Sequence, residues 1–245
     1  VAHPLDAAAG QAADLIDMRN ASCVATALVA SGAFTVDMRM PRDQWFRWKS
    51  GIRAPCGCNC RRLNTFPAWR RLVDDALAEA VRASFPDADY VIGVGNAGIP
   101  WAKTLAERLE LPLAYVRAEP RVTGSTLVEC SPAGGTRAVV VEDVVASGES
   151  TRRAIRALLA ESDLRIAGIQ SIANWAFPEM RALLAAWQVR TITSYPQVLA
   201  SALEAGLIDE ADLSQLIRFY ADPRRHTWQI TGGDQLRDES HPGRL

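Results

Sequence analysis

Apolar positions along the chain change their spacing twice. From Ala7 to Val29 alanines and larger apolar residues recur at helical intervals, which predicts a helix. From Phe34 to Arg61 aromatics, Pro41, Gly51 and Pro55 break any period, which predicts short strands and turns forming a small flap. Trp69–Ser84 carries Leu72, Ala76, Leu77, Ala80 and Val81 on one face, the mark of an amphipathic helix. A regular alternation follows. Continuous apolar runs at Tyr90–Val94, Leu113–Val116, Ala138–Glu142, Arg165–Ala173 and Val189–Ile192 predict strands. Helical patterns at Ile99–Leu109, Glu149–Ser162 and Met180–Trp187 separate them, and Tyr195–Ala205 and Glu210–Tyr220 close the series. Strands that are apolar throughout must be covered on both faces, so the pattern predicts an α/β fold with a central parallel sheet flanked by helices. Ala118–Arg137 has no apolar period. A connection of that length inside such a sheet is expected to be a functional lid or a disordered segment.

Composition refines this picture. At 49% hydrophobic and 22% charged residues the chain can build an ordinary core. Three segments are expected: an N-terminal helix and hood over 1–65, an α/β core with C-terminal helices over 66–228, and a flexible polar tail over 229–245. A net charge of −1 gives no global attraction to nucleic acid or membrane surfaces. No apolar run approaches the ~20 residues of a membrane span, and Val1–Gln11 lacks the basic start and apolar centre of a secretion signal. Five cysteines, an odd number in a chain too large to need staples, point to reduced thiols in the cytoplasm.

Candidate chemistry concentrates between Val139 and Ser150, which read Val-Val-Val-Glu-Asp-Val-Val-Ala-Ser-Gly-Glu-Ser. A buried strand runs into two adjacent carboxylates, Glu142 and Asp143. Val144, Val145 and Ala146 lead into a turn of small residues, Ser147 and Gly148, and a helix begins at Glu149 and Ser150. Unpaired N–H groups and the dipole at a helix N-terminus suit a phosphate, and the two serines add hydroxyl donors. Carboxylates just ahead of the turn suit the vicinal hydroxyls of a ribose. Ligands of open α/β sheets bind at the carboxyl ends of strands, where this turn lies. The competing reading is an ordinary strand-to-helix turn with a capping serine; the paired acids weigh against it.

Other signals weigh less. Gly93-Val-Gly-Asn-Ala-Gly98 spells a dinucleotide fingerprint, with Glu119 about 20 residues on. The long segment ahead of it does not suit an N-terminal dinucleotide unit, and such a unit leaves the turn at Ser147 unexplained. Cys56, Cys58 and Cys60 would share one face of an extended strand, where thiolates suit zinc or copper(I). Their spacing is not that of a zinc site, and His3, His226 and His241 lie near the ends, so packing under the flap is expected. The seven tryptophans read as core or interface residues. A solvated helix entry explains Arg61, Arg62, Arg70 and Arg71 as well as a phosphate site does.

The Val139–Ser150 segment resembles the signature for 5-phosphoribosyl 1-pyrophosphate (PRPP) of type I phosphoribosyltransferases. The resemblance extends to Phe46-Arg-Trp-Lys-Ser-Gly-Ile-Arg-Ala-Pro55, Gly93–Pro100, Tyr115-Val-Arg117 and Leu207–Pro223, which follow the order of orotate phosphoribosyltransferase motifs over roughly Phe46 to Trp228. It implies a Rossmann-like fold with a hood and transfer of ribose 5-phosphate from PRPP to orotate or a related heterocyclic base, with release of pyrophosphate. It further implies magnesium bridged by substrate, with no dedicated protein metal site, and a homodimer whose loop 118–137 reaches the neighbouring site. By the same resemblance, Glu142 and Asp143 hold the ribose and Val144, Val145, Ala146, Ser147, Gly148, Glu149 and Ser150 surround the 5-phosphate. Arg117 and Arg121 meet the pyrophosphate, and Arg121, Glu142 and Asp143 form the catalytic set. Asn96 and Ala97 offer backbone N–H groups, and Lys49 contacts PRPP. Ala146, Cys58 and Trp175 line the base, with Asn174 nearby.

The chain departs from the family at several of these positions. Arg121 stands for the catalytic lysine, and the two side chains differ in reach and proton transfer. Ala118 and Thr123 replace a lysine and a histidine, Ala146 replaces a hydroxyl residue, and Glu149 puts a carboxylate beside the phosphate turn. Cys56-Gly-Cys-Asn59 replaces aromatic residues at the base. Two further readings therefore stay open: a phosphoribosyltransferase with a different acceptor, and a PRPP or nucleotide sensor without turnover.

Overall fold

The computed structural model describes residues 20–41, 44–48, 51–119, 126–130 and 136–224. The expectations for Lys49, Arg121, Thr123, the start of the first helix and the C-terminal tail lie outside these residues. The described part of that helix, α1, is Ala21–Ala30. The hood follows as four short strands: β1 (Phe34–Val36) pairs antiparallel with β4 (Cys56–Cys58), and β2 (Phe46–Arg47) with β3 (Arg53–Ala54). A 3-10 turn over Cys60–Thr65 leads into α2 (Pro67–Ser84), which starts on a proline at its first turn. Proline suits that position because its missing N–H would be unpaired there anyway. The buried face of α2 includes Val73, Ala76, Leu77, Ala80 and Val81.

Next come β5 (Tyr90–Val94), α3 (Ile99–Leu109), β6 (Leu113–Val116), β7 (Val128–Glu129), β8 (Arg137–Val145), α4 (Glu149–Glu161) and β9 (Arg165–Asn174). The chain continues through α5 (Pro178–Leu183), β10 (Val189–Ser194), α6 (Tyr195–Glu204) and α7 (Glu210–Ala221). Six strands form the main sheet in the order β10-β9-β8-β5-β6-β7. All neighbours are parallel except β6 and β7. Val91, Ile92, Val139, Val140 and Val141 in the central strands are fully buried, as a sheet covered on both faces requires. Each such side chain contributes about 1.5–3 kcal/mol. One core cluster joins α1, the hood, α2, the sheet and α6, with Leu28, Phe34, Ile52, Leu77, Val139 and Tyr195 among its members. Through that cluster the sheet fixes where the hood sits.

The structure revises several boundaries. The predicted loop Ala118–Arg137 contains β7, which makes the sheet mixed at one edge. The helix expected at Met180–Trp187 is the shorter Pro178–Leu183. The strand expected at Ala138–Glu142 runs on to Val145, because β9 continues its pairing to Val145↔Asn174. Glu142 and Asp143 therefore belong to a strand, and successive strand residues point to opposite faces.

Candidate active site at the carboxyl ends of the strands

Three strand ends converge. β5 ends at Val94 and turns through Gly95–Gly98 into α3; β6 ends at Val116 ahead of Arg117; β8 ends at Val145 and turns through Ala146–Gly148 into α4. Close backbone approach holds the first turn against the middle of β8. A Cβ on Gly98 would lie 2.5 Å from the Val141 carbonyl oxygen, 2.8 Å from that of Val94 and 3.2 Å from Cα of Glu142. Only glycine fits against two backbones at that range. The Gly95–Asn96 peptide is cis. Asn96 is exposed and Ala97 half-buried.

The acidic pair is split by the pleat. Glu142 is 5% exposed, and its Oε1 accepts from Ser150 Oγ at 3.0 Å and Thr151 Oγ1 at 3.4 Å. It thereby ties β8 to the first turn of α4. Asp143 is half-buried; its carbonyl oxygen lies 4.0 Å from the Cys60 Sγ donor, under the hood. Sequence reasoning gave both acids one role, whereas their surroundings differ. Thr151 was missed: a threonine inside a helix carries no signal until the strand beside it is known.

Gly148 caps α4 at φ 82°, a left-handed conformation that glycine adopts without strain. Ser147 is buried, Val144 and Ala146 are half-buried, Val145 is buried, and Glu149 and Ser150 are exposed. Glu149 opens α4 beside the turn. Arg117 is held from two sides, with Nε donating to the Glu119 carbonyl at 3.2 Å and Nη1 to Glu129 Oε1 at 3.3 Å. Glu129 sits on β7, so the unforeseen strand positions this arginine. A narrow cleft of about 20 Å³ is lined by Gly95, Arg117, Ser150 and Arg153 among others. Arg153 is a cation that the sequence reading passed over.

On the hood side the three cysteines do not form one row. Cys56 Sγ lies 3.4 Å from the Tyr195 hydroxyl, and burial pushes its thiol up to about 12. Cys58 and Cys60 approach each other at 3.7 Å between sulfurs. A hydrogen bond to Cys58, then burial, raises the Cys60 thiol well above the usual thiol range. Trp175 does not reach the cleft. Its ring is 2% exposed, 4.8 Å between centroids from Tyr195 and 6.2 Å from Trp48. The apolar wall formed by Trp48 and Tyr195 holds it inward. Asn174 is also buried, its Oδ1 accepting from the Ala176 N–H. Of the expected base contacts, Cys58 and Ala146 are the ones left half-buried.

A model of the phosphoribosyl transferase domain matches residues 61–190. The orotate phosphoribosyltransferase of Bacillus caldolyticus is 34% identical over 203 residues, 82% of this chain and 96% of that protein. Among solved structures, the orotate phosphoribosyltransferase from Aeropyrum pernix superposes with a TM-score of 0.62 at 29% identity, covering 76% of this chain and 99% of that one. Leishmania donovani UMP synthase gives a TM-score of 0.68 at 25% identity; the match covers 82% of this chain and 42% of the Leishmania protein.

Proposed function

The chain belongs to the phosphoribosyltransferase family, and on that premise we propose that it transfers ribose 5-phosphate from PRPP to orotate, releasing pyrophosphate and forming a nucleotide. The observation that carries this reading is the glycine-mediated contact between the Gly95–Gly98 turn and β8 at Val141–Glu142, where the acidic pair begins. It supports a substrate carrying both a ribose and a pyrophosphate, because it holds the turn assigned here to pyrophosphate against the strand that bears Glu142 and Asp143. Such a reaction breaks the bond from C1 to pyrophosphate while a base nitrogen closes on C1. Little covalent work falls to the protein, whose task is positioning and charge neutralisation.

The roles follow from the surroundings of each residue. Backbone N–H groups of Ser147–Ser150 at the start of α4 receive the 5-phosphate. Glu142 fixes the hydroxyls of Ser150 and Thr151, and so holds that first turn on β8. Asp143 offers its carboxylate to the ribose hydroxyls. Arg117, Arg121 and the backbone of Asn96 and Ala97 receive the pyrophosphate, with Lys49 as a further cation. Cys58 and Ala146 line the acceptor side, and Trp175 supports it from beneath.

Magnesium fits the donor set. Asp143 offers hard carboxylate oxygen and would help hold the ion, which would supply neutralisation of charge on the leaving pyrophosphate. We further propose a homodimer in the cytoplasm, with segment 118–137 of one protomer reaching its partner's site.

The test is pyrophosphate release from PRPP with magnesium, first with orotate and then with other heterocycles. Release with orotate is the expected outcome. Release with another base alone would move the acceptor, and PRPP binding without release from any base would overturn the transfer reading in favour of a sensor.

A further inference from the structure

Cys58 and Cys60 form a thiol pair that the transfer reaction does not use. The chain leaves the extended region at Asn59 (φ −118°, ψ 82°), where β4 gives way to the 3-10 turn, and the two sulfurs end 3.7 Å apart. Cys58 is half-buried, whereas Cys60 is fully buried. An outside reagent therefore meets Cys58 first. Cys60 lies behind it, with its sulfur over the carbonyl of Asp143. Cys56 is committed elsewhere, on the Tyr195 hydroxyl.

We propose that Cys58 and Cys60 are an oxidation site, at which a hydroperoxide converts the pair to a disulfide and weakens acceptor binding. The effect on the acceptor rests on the transfer reading above; the disulfide does not. The Cys58 sulfur attacks a peroxide oxygen, the O–O bond breaks, and the departing hydroxide takes the thiol proton to become water. Cys60 sulfur then attacks Cys58 sulfur, the S–O bond breaks, and the second hydroxide leaves as water with the Cys60 proton. Two thiols and one hydrogen peroxide give one disulfide and two waters. The sulfurs must close from 3.7 Å to about 2 Å, which draws Cys60 off the Asp143 carbonyl and Cys58 out of its place on the acceptor side.

The experiment treats the full chain with hydrogen peroxide and reads two things. The first is the mass of the tryptic peptide Ala54–Arg61, which holds Cys56, Cys58 and Cys60. We expect loss of two hydrogens, a single thiol left for alkylation after unfolding, and reversal by dithiothreitol. In Cys60→Ser the peptide should gain oxygen instead. The second is pyrophosphate release, with a severalfold rise in KM for orotate that dithiothreitol reverses. Three alkylatable thiols remaining in that peptide while exposed Cys23 and Cys130 oxidise would overturn the proposal. So would loss of two hydrogens that persists in Cys60→Ser, since the bridge would then be Cys56–Cys58. An unchanged KM in the oxidised protein would refute the effect on the acceptor. Disulfide formation in a protein that releases no pyrophosphate even when reduced would sink the transfer reading and leave the oxidation site standing.

Discussion

Gly98→Ala isolates the contact on which the functional reading rests. The added methyl would meet the Val141 carbonyl oxygen at 2.5 Å and the Val94 carbonyl oxygen at 2.8 Å. Ordinary contact begins at 3.4 Å, so the first oxygen must retreat by about 0.9 Å and the second by about 0.6 Å. Neither can swing aside, because both are backbone atoms of central strands paired to each other through Ile92↔Val140 and Gly93↔Val141. Overpacking of this kind costs about 1–3 kcal/mol. The turn proposed to receive pyrophosphate moves away from β8 by a large part of an ångström, and misplacement on that scale costs as much as ~100-fold in rate. We expect a lower melting temperature and a kcat/KM for PRPP reduced by one to two orders of magnitude, measured well below that temperature. Gly57→Ala is the stability control. Its Cβ would meet nothing nearer than 3.6 Å, and a shift within about 0.5 kcal/mol is expected. A Gly98→Ala protein with the parent's melting temperature and kcat/KM would refute the argument that the Gly95–Gly98 turn is locked to β8 by backbone contact.

Further predictions concern single side chains. Thr151→Val removes a hydroxyl from the buried Glu142 carboxylate; a loss of about 1 kcal/mol in stability and a raised KM for PRPP are expected from denaturant titration and initial rates. Trp175→Ala empties a site packed against Trp48 and Tyr195 and should cost about 3–5 kcal/mol. If the ring only supports the acceptor side, kcat/KM for orotate measured well below the melting temperature changes far less than stability does. Burial, opposed by Arg108 and Arg70 and aided by Asp75 and Glu107, raises Asp74 to about 6. A carboxyl that binds its proton more tightly when folded gives stability that is full below the unfolded value and lost as pH rises through the folded one. Asp74→Asn should therefore gain on the parent in melting temperature between pH 4 and pH 7; a constant difference across that range would count against the assignment.

Much of this protein was legible in the chain. Continuous runs such as Tyr90–Val94 and Leu113–Val116 could only be strands covered on both faces, because a residue that must leave water on either side of a sheet is apolar at every position. The Glu142–Ser150 segment stood out as a candidate site for a similar reason: paired acids and a small-residue turn are costly in a core that no ligand uses. The order of family motifs then named the reaction class. What only the tertiary structure decided depends on neighbours remote in sequence. Pairing with β9 extended β8 past the acids and split Glu142 from Asp143 across the pleat. Two residues at Val128–Glu129 have too little pattern to reveal a strand, yet pairing with β6 made them one and anchored Arg117. Trp175, expected at the base, has its ring packed against Trp48 and Tyr195, which lie far from it along the chain. Local periodicity reports which residues must leave water. Which partner each one meets is set by the packing of segments whose separation along the chain no local pattern records.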